Sequence, residues 1–193
     1  MAVVPLRSFV RGKERLSPVL DPASRAALVK AMADHVTSTA ESAGLLPVIV
    51  TDDQDVAEWG ASRDLPTVPQ PAGGLDSAGT AGIDWALAAN SGWLVVHADL
   101  PLLRAADLEE LAAVLEEGDD PIAPSSDGGT SAIGGRAALN LAYGPGSFHR
   151  HLALLASPRV VVRPGLILDV DTPADLETAR RHPSGAWLKD VSA

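Results

Sequence analysis

Short continuous apolar runs alternate with longer stretches of helical period along this chain. "AVVPL" (2–6), "LPVIVT" (46–51), "WLVVHAD" (93–99) and "DPIAPSS" (120–126) are the apolar runs, and they read as strands buried on both faces. Helical patterning marks "DPASRAALVKAMADHVTSTAESAG" (21–44), "DDQDVAEWGAS" (52–62), residues 77–90, "AADLEELAAVLEEG" (105–118) and "TPADLETARRH" (172–182). "PGSFHRHLALLAS" (145–157) reads as a loop feeding a helix. Asp21 suits an N-cap, Pro22 a first turn and Gly44 a stop. "LPTVPQPAGGLD" (65–76) reads as irregular and "DGGTSAIGG" (127–135) as a Gly-rich turn region. "RVVVRPGLILDVD" (159–171) reads as strand broken at Pro-Gly. Strands alternating with helices predict an α/β fold with a mostly parallel sheet and helices on both faces. Such sheets bind ligands beyond the carboxyl ends of their strands. No linker divides the chain, so one domain is expected over 1–182, with a peripheral tail at 183–193.

Composition narrows the function. At 193 residues the chain can bury roughly 70% of its unfolded surface, so it needs no disulfide or zinc staple. It has no cysteine, which excludes thiol catalysis and Cys-ligated metals. No apolar run approaches the ~18 residues of a membrane span, and "MAVVPLRSF" lacks the features of a signal peptide. The cytoplasm is the expected compartment. A net charge of −10 argues against nucleic acid as a partner, because duplex binding rests on Lys and Arg neutralising phosphates. A bound polyphosphate would need local basic groups, backbone N–H groups or a metal.

Five stretches carry candidate chemistry. Asp99 in "HADLP" lies at the exit of an apolar strand, where it is either a ligand or the start of a turn before Pro101. Asp169 and Asp171 in "LDVDTP" point to one face of an extended segment. Two carboxylates so close repel unless a cation lies between them. Thr172, Pro173 and Asp175 match a capping box for the next helix, which leaves Asp169 and Asp171 without a structural task. Three carboxylates from two strand ends suit Mg²⁺, which keeps water and substrate phosphates as its remaining ligands. "DGGTSA" is either an anion nest or a plain hairpin turn. "YGPGSFHRH" (143–151) places Gly144, Gly146 and Ser147 before a helix, a ready anion site that Arg150 could complete. His149 and His151 read as solvated or capping. "RGKERL" (11–16) offers Arg11, Lys13 and Arg15 after the first strand but is no P-loop.

Taken in this order, the basic loop, "HADLP", "DGGTSA", "YGPGSFHRH" and "LDVDTP" resemble the 2-phospho-L-lactate / phosphoenolpyruvate guanylyltransferase family of coenzyme F(420) biosynthesis. The resemblance runs from about residue 3 to 180, and "YGPGSFxRH" is its most specific motif. It implies a three-layer nucleotidyltransferase fold, akin to that of molybdenum-cofactor guanylyltransferases. It implies Mg²⁺ on Asp99, Asp169 and Asp171, with Lys13 among the catalytic groups. Thr130, Gly144, Ser147 and Arg150 would hold a small phosphorylated carboxylic acid. Lys13, Arg15, Gln70, Gly74 and Asp76 would lie on the GTP side. The chain departs from the family pattern with Asp76 and Ser131, where Asn is frequent, and with few lysines in the first loop. The expected reaction is transfer of GMP from GTP to the acid's phosphate, with phosphoenolpyruvate favoured and 2-phospho-L-lactate next. Two readings compete: a nucleotidyltransferase taking molybdopterin or a sugar phosphate, and a non-catalytic nucleotide-binding module. A phosphohydrolase with an aspartate nucleophile would need a D-x-D directly after the first strand, and none is there.

Overall fold

The computed structural model describes residues 1–191. Seven strands form one sheet: β1 (Ala2–Pro5), β2 (Pro47–Thr51), β3 (Thr67–Pro69), β4 (Trp93–Val96), β5 (Asp120–Pro124), β6 (Thr130–Gly135) and β7 (Pro158–Val160), in the order β3-β2-β1-β4-β6-β5-β7. Only β6 runs against its neighbours, pairing antiparallel with β4 and β5. The helices are α1 (Pro22–Ser42), α2 (Gln54–Ala61), α3 (Leu75–Ala88), α4 (Ala105–Glu116), α5 (Ser147–Leu154), α6 (Pro164–Ile167) and α7 (Pro173–Arg181).

Successive strand residues face opposite layers. Val4, Ile49, Leu94 and Ala132 pack with Val29 and Val36 of α1, Val56 and Trp59 of α2, and Leu108 and Leu111 of α4. Val3, Val50, Val95 and Ile133 face the other way, into a core with Ala78 and Ile83 of α3. The result is the expected three-layer α/β/α arrangement around a mostly parallel sheet. Among the described residues no helix is long and apolar enough to cross a membrane.

The local signals place the helix ends well. Asp21 accepts from the Ser24 N–H at 2.7 Å, and Gly44 takes φ 73° just past α1. Gly82 lets α3 lie directly on the sheet: a Cβ there would stand 2.1 Å from Val3 Cγ1. Both neighbours, Val3 and Val50, are stiff β-branched residues of central strands. Gly82→Ala is therefore expected to destabilise the protein by about 2–3 kcal/mol, read as a lower thermal midpoint. An unchanged midpoint would contradict this packing.

Four expectations need correction. Thr67–Pro69, read as irregular, is a parallel edge strand beside β2. "TSAIGG" is a fully buried strand, and only residues 125–129 form the turn of a β5–β6 hairpin. The strand expected over 159–171 is split: β7 ends at Val160, Pro164 starts α6, and Leu168 to Asp171 lie outside the sheet. Finally, the tail expected to be peripheral at 183–193 packs as a 3₁₀ turn, Pro183–Lys189. Leu188 is wholly buried with Leu28, Met32 and Leu176, and Trp187 stacks on His35 while donating to Pro101 O at 3.1 Å. Residues 192 and 193 lie outside the described residues.

Candidate active site

β1 lies between β2 and β4, so the chain leaves β1 on one side and returns on the other. A crevice opens at the carboxyl ends of such a pair, and this is where the acidic and basic groups meet. Lys13 follows β1, and Asp99 follows β4. Asp169 and Asp171 arrive on the segment after α6. One backbone bond, from Val170 N–H to Asp99 O at 3.2 Å, ties that segment to the β4 exit. Val170 turns into the core, so its two neighbours turn together toward the crevice. The helix cap holds the segment from the other side: Asp175 Oδ2 accepts from the N–H groups of Thr172 at 2.7 Å and Asp171 at 3.2 Å.

One carboxylate oxygen from each of Asp99, Asp169 and Asp171 lies within 4.8 Å of the others. The cation between two of them is Lys13, whose Nζ donates to Asp99 Oδ2 at 2.5 Å and Asp171 Oδ1 at 2.6 Å. Burial disfavours the charge on this lysine, but the two carboxylates outweigh it and hold the ammonium above the ordinary lysine range. Burial likewise opposes the Asp99 charge, and Lys13 reverses that, keeping the Asp99 carboxyl below its usual range. Asp169 has no such partner among the described residues. Burial and the adjacent Asp99 charge push its carboxyl up to about 6. Asp99 Oδ1 is buried without a hydrogen-bond partner. Three clustered carboxylates, one raised by burial and by its acidic neighbour and one with an orphaned oxygen, form a donor set that a hard divalent cation fits.

Lys13 sits in left-handed backbone at φ 55°, at the start of the turn Glu14–Leu16. An open cleft of about 600 Å³ surrounds this loop and is lined by Arg7, Arg11, Lys13, Arg15 and Asp171. Exposed Arg15 lines this cleft and has no protein partner among the hydrogen bonds and ion pairs of the described residues. Gln70 is anchored by its N–H to Thr51 O at 2.9 Å, and its side chain reaches Gly74 O at 3.3 Å. Gly74, at φ 80°, opens α3. Asp76 Oδ1 accepts from the Tyr143 N–H at 2.7 Å, linking α3 to the loop before α5.

That loop, with β6 and α5, builds the second half of the site. Gly144 and Gly146 take φ 109° and 69°, conformations that favour glycine. Ser147 begins α5 and donates its N–H to Gly144 O at 3.0 Å, and its Oγ lies 3.3 Å from Thr130 Oγ1. Thr130, Gly144 and Ser147 are thus brought together. Arg150, expected to pair with an anion, instead clamps the loop: its guanidinium donates to Ala142 O, Tyr143 O and Pro145 O at 2.6–3.1 Å. Its donors are taken by carbonyl oxygens of the preceding loop, five to eight residues back.

Three residues escaped sequence reasoning. His97 and Tyr143 form an aromatic bridge between the two halves, with ring centroids 5.1 Å apart, and both His97 Nε2 and Tyr143 Oη are buried without partners. Burial pushes the His97 imidazole below and the Tyr143 phenol above their usual ranges, so both are neutral at pH 7. His151, read as solvated or capping, is wholly buried and bonded to Thr130. Two spacings carried usable signals: His97 is two residues from Asp99 just past β4, and His151 is one helical turn from Ser147.

A mostly parallel three-layer sheet with a carboxylate cluster and a basic loop at its crevice defines the class: the fold is that of the nucleotidyltransferases. Solved structures share it, including a Desulfovibrio desulfuricans chain described as a nucleotide-diphospho-sugar transferase, with TM-score 0.76 at 18% identity over 98% of this chain and 93% of that one. A nucleotidyl transferase from Methanothermobacter matches with TM-score 0.64 at 14% identity over 94% and 97%. Residues 1–190 match the family model described as "Guanylyl transferase CofC like", and the chain belongs to that guanylyltransferase family. It is similar to the phosphoenolpyruvate guanylyltransferase of Sphaerobacter thermophilus, 37% identical over 96% of this chain and 95% of that protein. It is also similar to the 2-phospho-L-lactate guanylyltransferase of Methanothermobacter thermautotrophicus, 30% identical over 98% and 87%.

Proposed function

We propose that this protein transfers GMP from GTP to the phosphate of a phosphorylated three-carbon acid, phosphoenolpyruvate first and 2-phospho-L-lactate next, as a step in coenzyme F(420) biosynthesis in the cytoplasm. The observation that carries this reading is the pairing of two half-sites across the His97–Tyr143 bridge: a carboxylate cluster with Lys13, and a small-residue loop ending in Ser147. The first suits a nucleoside triphosphate, the second an anion at a helix start.

In the reaction an acceptor phosphate oxygen attacks the α-phosphorus of GTP. The bond from that phosphorus to the bridging oxygen breaks, and pyrophosphate leaves. A phosphate monoester is mostly dianionic at pH 7, with a second pKa of about 6, so no general base is needed. The protein's contribution is position and charge. Asp99, Asp169 and Asp171 would hold Mg²⁺, which when bound neutralises the phosphate oxygens at the reacting centre. Lys13 and Arg15 supply positive charge toward the leaving phosphates, from a loop that lines the open cleft. Gln70 and Gly74 border the nucleotide side. Thr130, Ser147 and the N–H groups near Gly144 seat the acceptor. Arg150 and Asp76 act indirectly, by fixing the backbone of that seat.

Ser147→Ala is expected to raise the KM for the acceptor about tenfold and leave the KM for GTP nearly unchanged; equal rises in both would contradict the placement. The decisive experiment is pyrophosphate release from GTP with Mg²⁺, using phosphoenolpyruvate, 2-phospho-L-lactate and 3-phosphoglycerate as acceptors. Release with the first two supports the reading, and no release with any of them overturns it.

A further inference from the structure

We infer that His151 is a positioning residue of the acceptor seat: it sets the direction of a hydrogen-bond chain that makes the Thr130 and Ser147 hydroxyls donors toward a fully ionised oxyanion. This rests on the proposed acceptor site, and extends it to a residue that touches no reacting atom.

The direction follows from a backbone group. The Ala142 N–H donates to His151 Nε2 at 2.8 Å. A ring nitrogen that accepts carries no proton, so the neutral imidazole must hold its proton on Nδ1. Nδ1 lies 2.9 Å from Thr130 Oγ1, which therefore accepts. The hydroxyl proton of Thr130 is left to point onward, to Ser147 Oγ at 3.3 Å or to a ligand. The Ser147 proton points onward in turn. A backbone N–H cannot reverse its polarity, so the chain runs one way.

The ring is held for this task. His151 is 0% exposed and meets the Tyr143 ring edge-on, at 4.8 Å and 82°. Burial pulls its imidazole down to about 4, so it stays neutral where enzymes work. Arg150, next in sequence, fastens Ala142 through its carbonyl while His151 takes the N–H, so the same peptide segment is gripped on both sides. A seat whose hydroxyl protons are directed at the ligand favours a phosphate dianion or a carboxylate over a neutral hydroxyl or amide in the same place.

Two substitutions separate positioning from space-filling. In His151→Asn the amide nitrogen stands near the Nδ1 position and can still donate to Thr130. In His151→Gln the amide lies near Nε2 and can still accept from Ala142. We expect His151→Gln to raise the acceptor KM about tenfold with the GTP KM unmoved, and His151→Asn to stay within about threefold of the native protein. Adding Thr130→Val to His151→Gln should raise the acceptor KM no further than Thr130→Val alone. Equal behaviour of the Asn and Gln variants, or parallel rises in both KM values, would overturn the inference. A native protein that releases no pyrophosphate with any acid would overturn the functional reading instead. The tautomer is decided separately, by long-range ¹⁵N–¹H spectra of the native protein: Nδ1 as the protonated nitrogen supports the chain, and Nε2 protonated sinks it.

Discussion

Asp171→Asn and Asp169→Asn are each expected to lower pyrophosphate release by roughly 10³-fold or more while the protein stays folded. The amide keeps the shape of the carboxylate, so packing around Val170 and the Thr172–Asp175 cap is untouched. It replaces an anionic oxygen with a neutral group in a cluster whose purpose is to gather positive charge. The two variants part on stability. Asp169 has no cationic partner among the described residues, and its carboxyl is raised from the ordinary 3.8 to about 6. A carboxyl whose pKa is higher folded than unfolded is protonated more readily in the folded state, so ionising it costs stability. That cost is absent below about pH 4, grows between pH 4 and 6, and is complete above 6. At pH 8 in chelator, Asp169→Asn should therefore be more stable than the native protein by about 1–2 kcal/mol, after discounting for partial exposure. At pH 4 the gain should vanish. Turnover near the native rate in either variant would remove these residues from the reaction, and a Tm for Asp169→Asn below that of the native protein at pH 8 would contradict the repulsion.

The acidic cluster was legible because its residues had no other employment. Once Thr172 and Asp175 were assigned to a helix cap, Asp169 and Asp171 remained, and alternation put them on one face. The physical reason survived even though the strand did not: a short segment outside the sheet turns Val170 inward and leaves both aspartates at the cluster. The β6 strand was illegible for the opposite reason. Its residues are small because its neighbours are large. A Cβ at Gly134 would stand 2.5 Å from Leu94 Cδ2, and one at Gly135 would stand 2.8 Å from Trp93 Cζ2. Glycine there marks close packing in the middle of a sheet, whereas pattern reading takes "GG" for a turn.

Arg150 and His151 show a second limit. Both sit in the motif that best marks the family, yet both spend their hydrogen bonds on the protein itself, mostly on the loop that presents Ser147. A motif shows that residues matter and leaves open whether they touch the ligand or shape what does. Lone-residue chemistry assigned Arg150 to an anion and His151 to solvent, because neither the bend at Gly144 and Gly146 nor the folding-back of Ala142 is written in side-chain type.

Lys13→Met is the other large expected effect, and it acts in three directions at once. The native lysine lies between Asp99 and Asp171, with only 11% of its side chain exposed. Removing it leaves two carboxylates facing each other, one of them with a second, already orphaned oxygen. Thermal unfolding in chelator should show a loss of about 2 kcal/mol, less than for a wholly buried pair because Asp171 is 46% exposed. Turnover should fall roughly 10²- to 10³-fold, since the leaving phosphates lose the charge nearest the cluster. Cation binding should move the opposite way. Lys13 and a divalent ion compete for the same Asp99 and Asp171 oxygens, so the variant should gain more stability from added Mg²⁺ or Mn²⁺ than the native protein does. Lys13→Arg should not restore turnover, because a planar guanidinium cannot serve as a compact point charge between two oxygens 2.5 and 2.6 Å from one nitrogen. An unchanged unfolding midpoint together with an unchanged metal response would show that Lys13 is not the cluster's counter-ion.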